Sequence, residues 1–315
     1  MDTSDLLIVG SGPAGLSAAI NAASEGLKVR LLDAGTPMGG QARESAAIEN
    51  YPGFPESVTG DDLMTRFVTQ AKKFGTDMVA PVSAVKLEHD KDIFTVTTDD
   101  YQKFEAKSVL LSLGVSYRRL DAEGIAPLMG RGIFYGRPAG TYHPLKKREV
   151  TIVGGANSAG QAAVKLSENP HTKVRVVVRS SITDKMSTYL IDRIRSRPNV
   201  TVCEGCDVTK VMGGDCLEQA VLTYKDGHTD LVGVDQMYVF IGAIPRTYWL
   251  NECGIDLDEH HFVRTGKDAY TNPYETSLKG CFAAGDIRSG SVKRIASAIG
   301  EGAQAVPFIH QFLDR

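Results

Sequence analysis

Leu6-Leu-Ile-Val-Gly10-Ser-Gly12-Pro-Ala-Gly15-Leu-Ser-Ala-Ala-Ile20 is the stretch that decides the fold of this chain. An apolar run, Asp5–Val9, ends in glycines and passes into Leu16–Glu25, which is alanine-rich and apolar on all sides; this pattern predicts a strand, a tight turn and a buried helix. A second apolar run, Leu27–Asp33, follows at once and supplies the parallel partner strand of a βαβ unit. In that context the glycines have separate tasks. Gly10 permits the turn, Gly12 lets the backbone approach a pyrophosphate, and Gly15 lets helix pack on strand, while Pro13 and Ala14 open the helix whose positive end faces the phosphates. Asp33 stands 33 − 10 = 23 residues after Gly10, at the end of the second strand, where a carboxylate accepts hydrogen bonds from ribose hydroxyls.

The same pattern returns at Glu149–Val153, followed by Gly154-Gly-Ala156-Asn157-Ser158-Ala159, a helix from about Ser158 to Glu168 and a very apolar strand, Lys173–Val178. Two such units predict two nucleotide sites. The second fingerprint departs from the first: Ala156 puts a methyl group where the close-approach glycine belongs. No acid ends its second strand. Arg179, followed by Ser180 and Ser181, stands there instead and suits a 2′-phosphate, favouring NADPH over NADH. The runs Phe94–Thr98 and Ser108–Leu113 complete the first domain, and Val200–Val202, Leu217–Tyr224 and Gln236–Ile241 the second. The fold class is therefore α/β, with two Rossmann-like (three-layer ββα) nucleotide-binding domains, the second inserted into the first: 1–116 and 249–315 form the first, 117–248 the second. A third motif, Gly280-Cys-Phe-Ala-Ala-Gly-Asp286, is a short strand ending in Gly285-Asp286 and leading into a helical Lys293–Phe312 that contains Pro307.

Composition narrows the classes of function. In 315 residues, 42% are hydrophobic and 23% charged, with a net charge of −3, as in a globular chain with a proper core. Positive residues are scattered, so neither a nucleic-acid nor an anionic-membrane surface is expected. The N-terminal residues carry acids rather than the basic residues of a signal peptide, and no apolar stretch approaches the roughly 20 residues of a membrane span. A cytoplasmic location without a membrane partner is the expectation. Five cysteines do not make a secreted disulfide framework. Cys203-Glu-Gly-Cys206 alone has two-residue spacing. It closes readily into a disulfide, but no helix follows to lower a thiol pKa, and no second Cys or His pair completes a zinc site; no metal is expected. Cys216, Cys253 and Cys281 read as isolated thiols, Cys281 as buried packing.

The order of motifs resembles one family over essentially the whole chain. Gly39-Gly40-Gln41, Ile48-Glu-Asn50-Tyr-Pro-Gly-Phe-Pro55, Gly130-Arg-Gly132, Gly154–Ala159, Phe240-Ile-Gly-Ala-Ile-Pro245 and Phe282-Ala-Ala-Gly-Asp286 are similar to the low-molecular-weight thioredoxin reductases, in the class II pyridine nucleotide-disulfide oxidoreductases. The resemblance implies an FAD domain interrupted by an NADPH domain, a homodimer, and FAD contacts from Gln41, Asn50 and Asp286. With the first fingerprint, the candidate FAD set becomes Gly10, Gly12, Pro13, Ala14, Gly15, Asp33, Ala34, Gly40, Gln41, Asn50, Gly114, Gly285, Asp286, Lys293, Arg294 and Ile295. The candidate second-nucleotide set is Gly154, Asn157, Ser158, Ala159 and Arg179.

The resemblance breaks where that family carries its redox dithiol. Those reductases have an Ala-Cys-x-x-Cys-Asp segment after the Gly-Arg-Gly stretch; here the chain reads Tyr135-Gly136-Arg137-Pro138-Ala139-Gly140. Gly136 and Ala139 cannot form thiolates, so thioredoxin reduction by that route is excluded, and no catalytic side chain is assigned apart from a redox pair at Cys203 and Cys206. Lys293-Arg294 replaces the family's Arg-Gln pair and adds positive charge beside the flavin, which raises its potential. Three readings stay open at this level. One is an FAD enzyme moving electrons between NADPH and a small-molecule or small redox-protein acceptor other than thioredoxin, with Tyr135 and Arg137 shaping the acceptor site. A second is a diflavin-linked disulfide oxidoreductase with a second FAD in the inserted domain and Cys203/Cys206 as its redox pair. The third is an FAD-binding redox sensor without turnover.

Overall fold

The computed structural model describes residues 3–45, 48, 51–135, 148–250, 252–266 and 272–314. The chain divides into two units, Met1–Ser116 with Ile244–Arg315, and Tyr117–Ala243. The second crossing thus falls at 243/244 rather than the expected 248/249. Residues 244–248 are tied into the first unit: Arg246 Nε donates to Ser116 Oγ at 3.0 Å and Thr247 Oγ1 to the His261 carbonyl at 2.7 Å.

In the first unit, β1 (Ser4–Val9), α1 (Pro13–Ser24) and β2 (Val29–Leu32) form the βαβ unit. Then come α2 (Gly60–Lys73), β3 (Asp77–Val79), β4 (Ala84–Asp90), β5 (Ile93–Thr98) and β6 (Lys103–Leu111). The sheet order is β3-β2-β1-β6-β5-β4. β1, β2, β3 and the C-terminal half of β6 run parallel, whereas β4 and β5 are antiparallel. α2 lies outside the apolar-run pattern because only Gly60, Leu63, Met64 and Ala71 are buried along it; its start is marked instead by Thr59, whose side chain caps Asp62 N–H.

A short strand β7 (Val115–Tyr117) leads into the second unit. That unit contains β8 (Ile133–Tyr135), β9 (Arg148–Val153), α3 (Asn157–Ser167), β10 (Thr172–Val178), α4 (Thr188–Arg195) and β11 (Val200–Glu204). The antiparallel β12 (Cys206–Met212), β13 (Gln219–Tyr224) and β14 (Thr229–Gly233) follow, then β15 (Gln236–Val239). Its parallel sheet has the order β11-β10-β9-β15-β8. After β16 (Ala243–Pro245), the first unit closes with β17 (Cys281–Ala283), parallel to the C-terminal half of β6, and α5 (Ile295–Leu313). Each unit is thus a parallel sheet, a three-stranded antiparallel layer and a helical layer.

Alternation along the central strands explains the layers. On β1, Leu6 and Ile8 enter the cluster beneath α1, α2 and α5, and Leu7 and Val9 enter the cluster on the opposite face with Phe94, Val96 and Phe104. The second unit repeats this, with Val150 and Ile152 on the helical side and Val153 on the antiparallel side. A side chain fully buried in this way stabilises the fold by roughly 1.5–3 kcal/mol, so both faces of each sheet are specified by strand period alone.

Candidate nucleotide sites

At the C-terminal end of β1, Gly10 turns the chain with φ +107°, and a Cβ there would lie 2.5 Å from the Ser112 carbonyl oxygen. Gly15 is needed for the close packing of α1: its Cβ would fall 1.9 Å from the Gly10 carbonyl oxygen. Gly12 differs from both. It is the N-cap of α1, at φ −65° and ψ −178°, with no side chain capping the helix and Pro13 in the first turn. A Cβ at Gly12 would meet nothing within 4 Å among the described residues. The first-turn amides therefore open on a space that the fold leaves free, and their dipole favours an anion there. This donor set fits a dinucleotide pyrophosphate.

Around this turn the backbone is fixed by side chains. Ser11 N–H donates to Asp33 Oδ2 at 2.5 Å and Gly35 N–H to Asp33 Oδ1 at 2.6 Å; each oxygen keeps lone-pair capacity for a ribose hydroxyl. Ser11 Oγ accepts from Gly39 N–H at 2.9 Å, and Gly40 lies so close that its Cβ would sit 3.1 Å from Gly12 Cα. Ala34 and Gly40 are exposed beside the turn. The Gln41 amide nitrogen donates to the Val115 carbonyl, leaving its oxygen available. Gly114 takes φ +62°, and a Cβ there would meet nothing within 4 Å among the described residues. Asn50 lies outside the described residues, as do Gly136, Arg137, Pro138 and Ala139.

The third motif meets the first from above α1. Gly285, at φ +81°, would press a Cβ to 2.9 Å from Ala14 Cβ. Burial raises the Asp286 carboxyl above its ordinary value of 3.8, Lys293 opposes that rise and Glu301 adds to it. Lys293 Nζ donates at 2.9 Å to the Asp286 carbonyl and to Ser291 Oγ, and lies 4.4 Å above the Phe262 ring. Arg294 is the exposed N-cap of α5, and Ile295 begins that helix against the core. Sequence reasoning missed Glu301. Its Oε2 accepts from Gly285 N–H at 2.7 Å, and its Oε1 pairs with Arg288 Nη1 at 3.0 Å, with both side chains mostly buried. The one carboxylate on α5, set between Gly300 and Gly302, was the available signal. Gly302 lets α5 approach α1, since its Cβ would be 2.1 Å from the Ala14 carbonyl oxygen.

In the second unit Gly154 repeats the turn at φ +144°, and its N–H donates to the Val177 carbonyl at 3.0 Å. Ala156, the exposed N-cap of α3, has φ −109° and ψ 179°, and α3 again has no side-chain cap. Asn157 Oδ1 accepts from Ser187 N–H at 2.8 Å, and Ala156 forms a bridge with Lys185. Asn157 and Ser158 are exposed and Ala159 is fully buried. Arg179 extends into solvent, its side chain 69% exposed, with Asp207 at 3.9 Å in a long, solvent-exposed ion pair. Cys203 and Cys206 are free thiols. Burial pushes the Cys206 thiol up to about 11, and burial likewise raises Cys281. Among the described residues no group of His, Cys, Asp or Glu could hold a metal ion, and no helix is long and apolar enough to cross a membrane.

Comparison with known proteins agrees with two nucleotide units in one chain. The family model described as pyridine nucleotide-disulphide oxidoreductase matches residues 4–302. A thioredoxin reductase of Listeria monocytogenes is 32% identical over 306 residues, covering 96% of this chain and 91% of the relative. A component of the alkyl hydroperoxide reductase of Staphylococcus epidermidis is 31% identical over 307 residues, covering 96% of this chain, and the match spans only 58% of that longer protein. Among solved structures, the thioredoxin reductase of Streptococcus pyogenes superposes with a TM-score of 0.76 at 28% identity, covering 99% of this chain and 98% of the other. That of T. acidophilum superposes at 0.75, also at 28% identity, covering 99% of each.

Proposed function

Because the chain belongs to the pyridine nucleotide-disulphide oxidoreductase family, whose members use FAD and NADPH, we propose that it is an FAD-dependent oxidoreductase transferring electrons between NADPH and an acceptor other than thioredoxin. The observation that carries the reading is the pair of uncapped helix N-termini, α1 and α3, each behind a glycine turn at the end of a parallel strand. FAD, when bound in the first unit, supplies the redox chemistry. The chain supplies the rest: α1 amides bind the diphosphate, Asp33 orients the ribose, and Lys293 places positive charge beside Asp286. In the second unit the α3 N-terminus and Arg179 hold the nucleotide and its 2′-phosphate.

The choice of acceptor follows from residues 136 and 139, glycine and alanine, where the resemblance puts two cysteines. Neither side chain accepts electrons, so the acceptor meets the flavin directly and is a small molecule or a small redox protein. A homodimer in the cytoplasm, without nucleic-acid or membrane partners, completes the proposal. The test is the flavin-to-protein ratio of the purified protein, followed by anaerobic titration with NADPH at the flavin absorbance band. One flavin per chain, bleached by NADPH, supports the reading. Two flavins per chain, or one left oxidised, overturns it.

A further inference from the structure

We propose that Cys203 and Cys206 form a reversible disulfide that loosens the loop at the end of β10 and so weakens nucleotide binding in the second unit. The consequence for binding rests on the reading of that unit as an NADPH site. The fold brings the two thiols to one place. Cys203 is the penultimate residue of β11 and Cys206 opens β12, with Gly205 at φ +66° in the turn between the strands. Cys206 is buried in the apolar cluster on the antiparallel side of the sheet, and Cys203 packs against the same cluster. Cys206 Sγ lies 3.4 Å from the Cys203 carbonyl oxygen.

The turn between these thiols also clamps the loop that follows Arg179. Glu204 Oε1 accepts from Ser181 Oγ at 2.8 Å and from Ile182 N–H at 2.6 Å, and Gly205 N–H donates to the Ser180 carbonyl at 3.1 Å. From the other side, Lys225 N–H donates to the Gly205 carbonyl at 3.0 Å. Tyr224 stands opposite Cys206 in the β12–β13 register. A disulfide holds its two Cβ atoms about 3.8 Å apart. Glu204 and Gly205 are the backbone that adjusts to that constraint, and they are also the residues whose hydrogen bonds hold Ser180, Ser181 and Ile182.

The oxidant is a small disulfide of the glutathione class. Cys203, the more exposed thiol, attacks as thiolate; one sulfur of the small disulfide becomes bonded to Cys203, and the other leaves as a thiolate that takes up the proton Cys203 gave up. Cys206 then loses its proton and attacks the Cys203 sulfur, and the second small thiolate leaves and is protonated. Two protein thiols are oxidised by two electrons, and one small disulfide is reduced to two thiols. Burial of Cys206 makes the second step the slow one.

The full-length protein is incubated with oxidised glutathione and compared with its dithiothreitol-reduced form by peptide mapping, hydrogen exchange and NADPH titration. The expected result is a Cys203–Cys206 cross-link with faster exchange at the Ile182 and Gly205 amides. The NADPH Kd should rise about tenfold, within the range usual for coupled sites, and Cys203→Ser and Cys206→Ser should abolish these changes. Persistence of both thiols overturns the proposal, as does a disulfide that leaves the two amides exchanging as before. An unchanged Kd in a cross-linked protein that binds NADPH when reduced overturns the binding consequence. A reduced protein that binds no NADPH refutes the proposed function instead, and the amide exchange still decides the switch.

Discussion

Replacing Gly12 and Gly15 one at a time by alanine separates what the first turn does for the cofactor from what it does for the fold. At Gly12 the backbone, φ −65° and ψ −178°, is open to alanine, and a Cβ meets nothing within 4 Å among the described residues. The weaker N-cap preference of alanine costs up to about 1 kcal/mol, and the reduced freedom of the unfolded chain returns about 0.4–1 kcal/mol. Apoprotein stability should therefore stay within about 1 kcal/mol of the parent. The methyl group occupies the approach to the α1 amides, and losing one hydrogen bond to a charged phosphate costs about 1.5–3 kcal/mol, or roughly 10- to 150-fold in FAD affinity. At Gly15 the Cβ would start 1.9 Å from the Gly10 carbonyl oxygen. Reaching ordinary contact near 3.4 Å requires 3.4 − 1.9 = 1.5 Å of movement of α1 away from the turn, an overpacking cost of at least about 3 kcal/mol. Urea unfolding of the apoproteins and fluorescence titration with FAD measure both quantities. Gly12→Ala protein that binds FAD like the parent, or whose apoprotein is as unstable as Gly15→Ala, would refute the reasoning.

Three further outcomes are expected. Glu301→Gln leaves the Arg288 guanidinium without its mostly buried counter-charge and should destabilise the protein by about 3 kcal/mol in urea unfolding; an unchanged midpoint would show that the pair carries no stability. Because burial raises the folded-state pKa of Asp286, its contribution to stability is fully present below the ordinary 3.8 and is lost as pH rises through the raised value. Asp286→Asn apoprotein should accordingly gain stability relative to the parent across that window, and parallel pH–stability curves would contradict the assignment. With a thiol pushed up to about 11, Cys206 holds only about one part in a thousand as thiolate at pH 8. Iodoacetamide should label exposed Cys216 well before Cys206, and early labelling of Cys206 would overturn its burial.

Legibility in the sequence follows the distance over which each feature is encoded. The Gly10–Gly15 turn was readable because strand, glycines and helix are adjacent, and Asp33 because it directly follows the very next strand. The boundary at 243/244 was misjudged by a few residues because Arg246 and Thr247 are committed by hydrogen bonds to Ser116 and His261, partners that no local pattern reveals. The role of Glu301 was hidden for the same reason, although its charge stood out: its partners, Gly285 and Arg288, come into reach only once α5 lies over the loop after β17.

The second unit repeats the turn of the first with a different residue at the helix cap. Ala156 caps α3 with an extended backbone, as Gly12 caps α1, but carries the methyl group that Gly12 lacks. What distinguishes the two sites is the way each turn is held. The first is held by an acid, through the Ser11 and Gly35 amides on Asp33. At the corresponding end of β10 stands Arg179, mostly exposed and only loosely paired with Asp207 at 3.9 Å, while the loop after it is held by Glu204 from the next strand. A carboxylate at the strand end selects free ribose hydroxyls and repels a 2′-phosphate. In the proposed NADPH site, moving the acid one strand outward and leaving a cation in its place reverses that preference, and it makes the loop after Arg179 depend on the turn that carries Cys203 and Cys206.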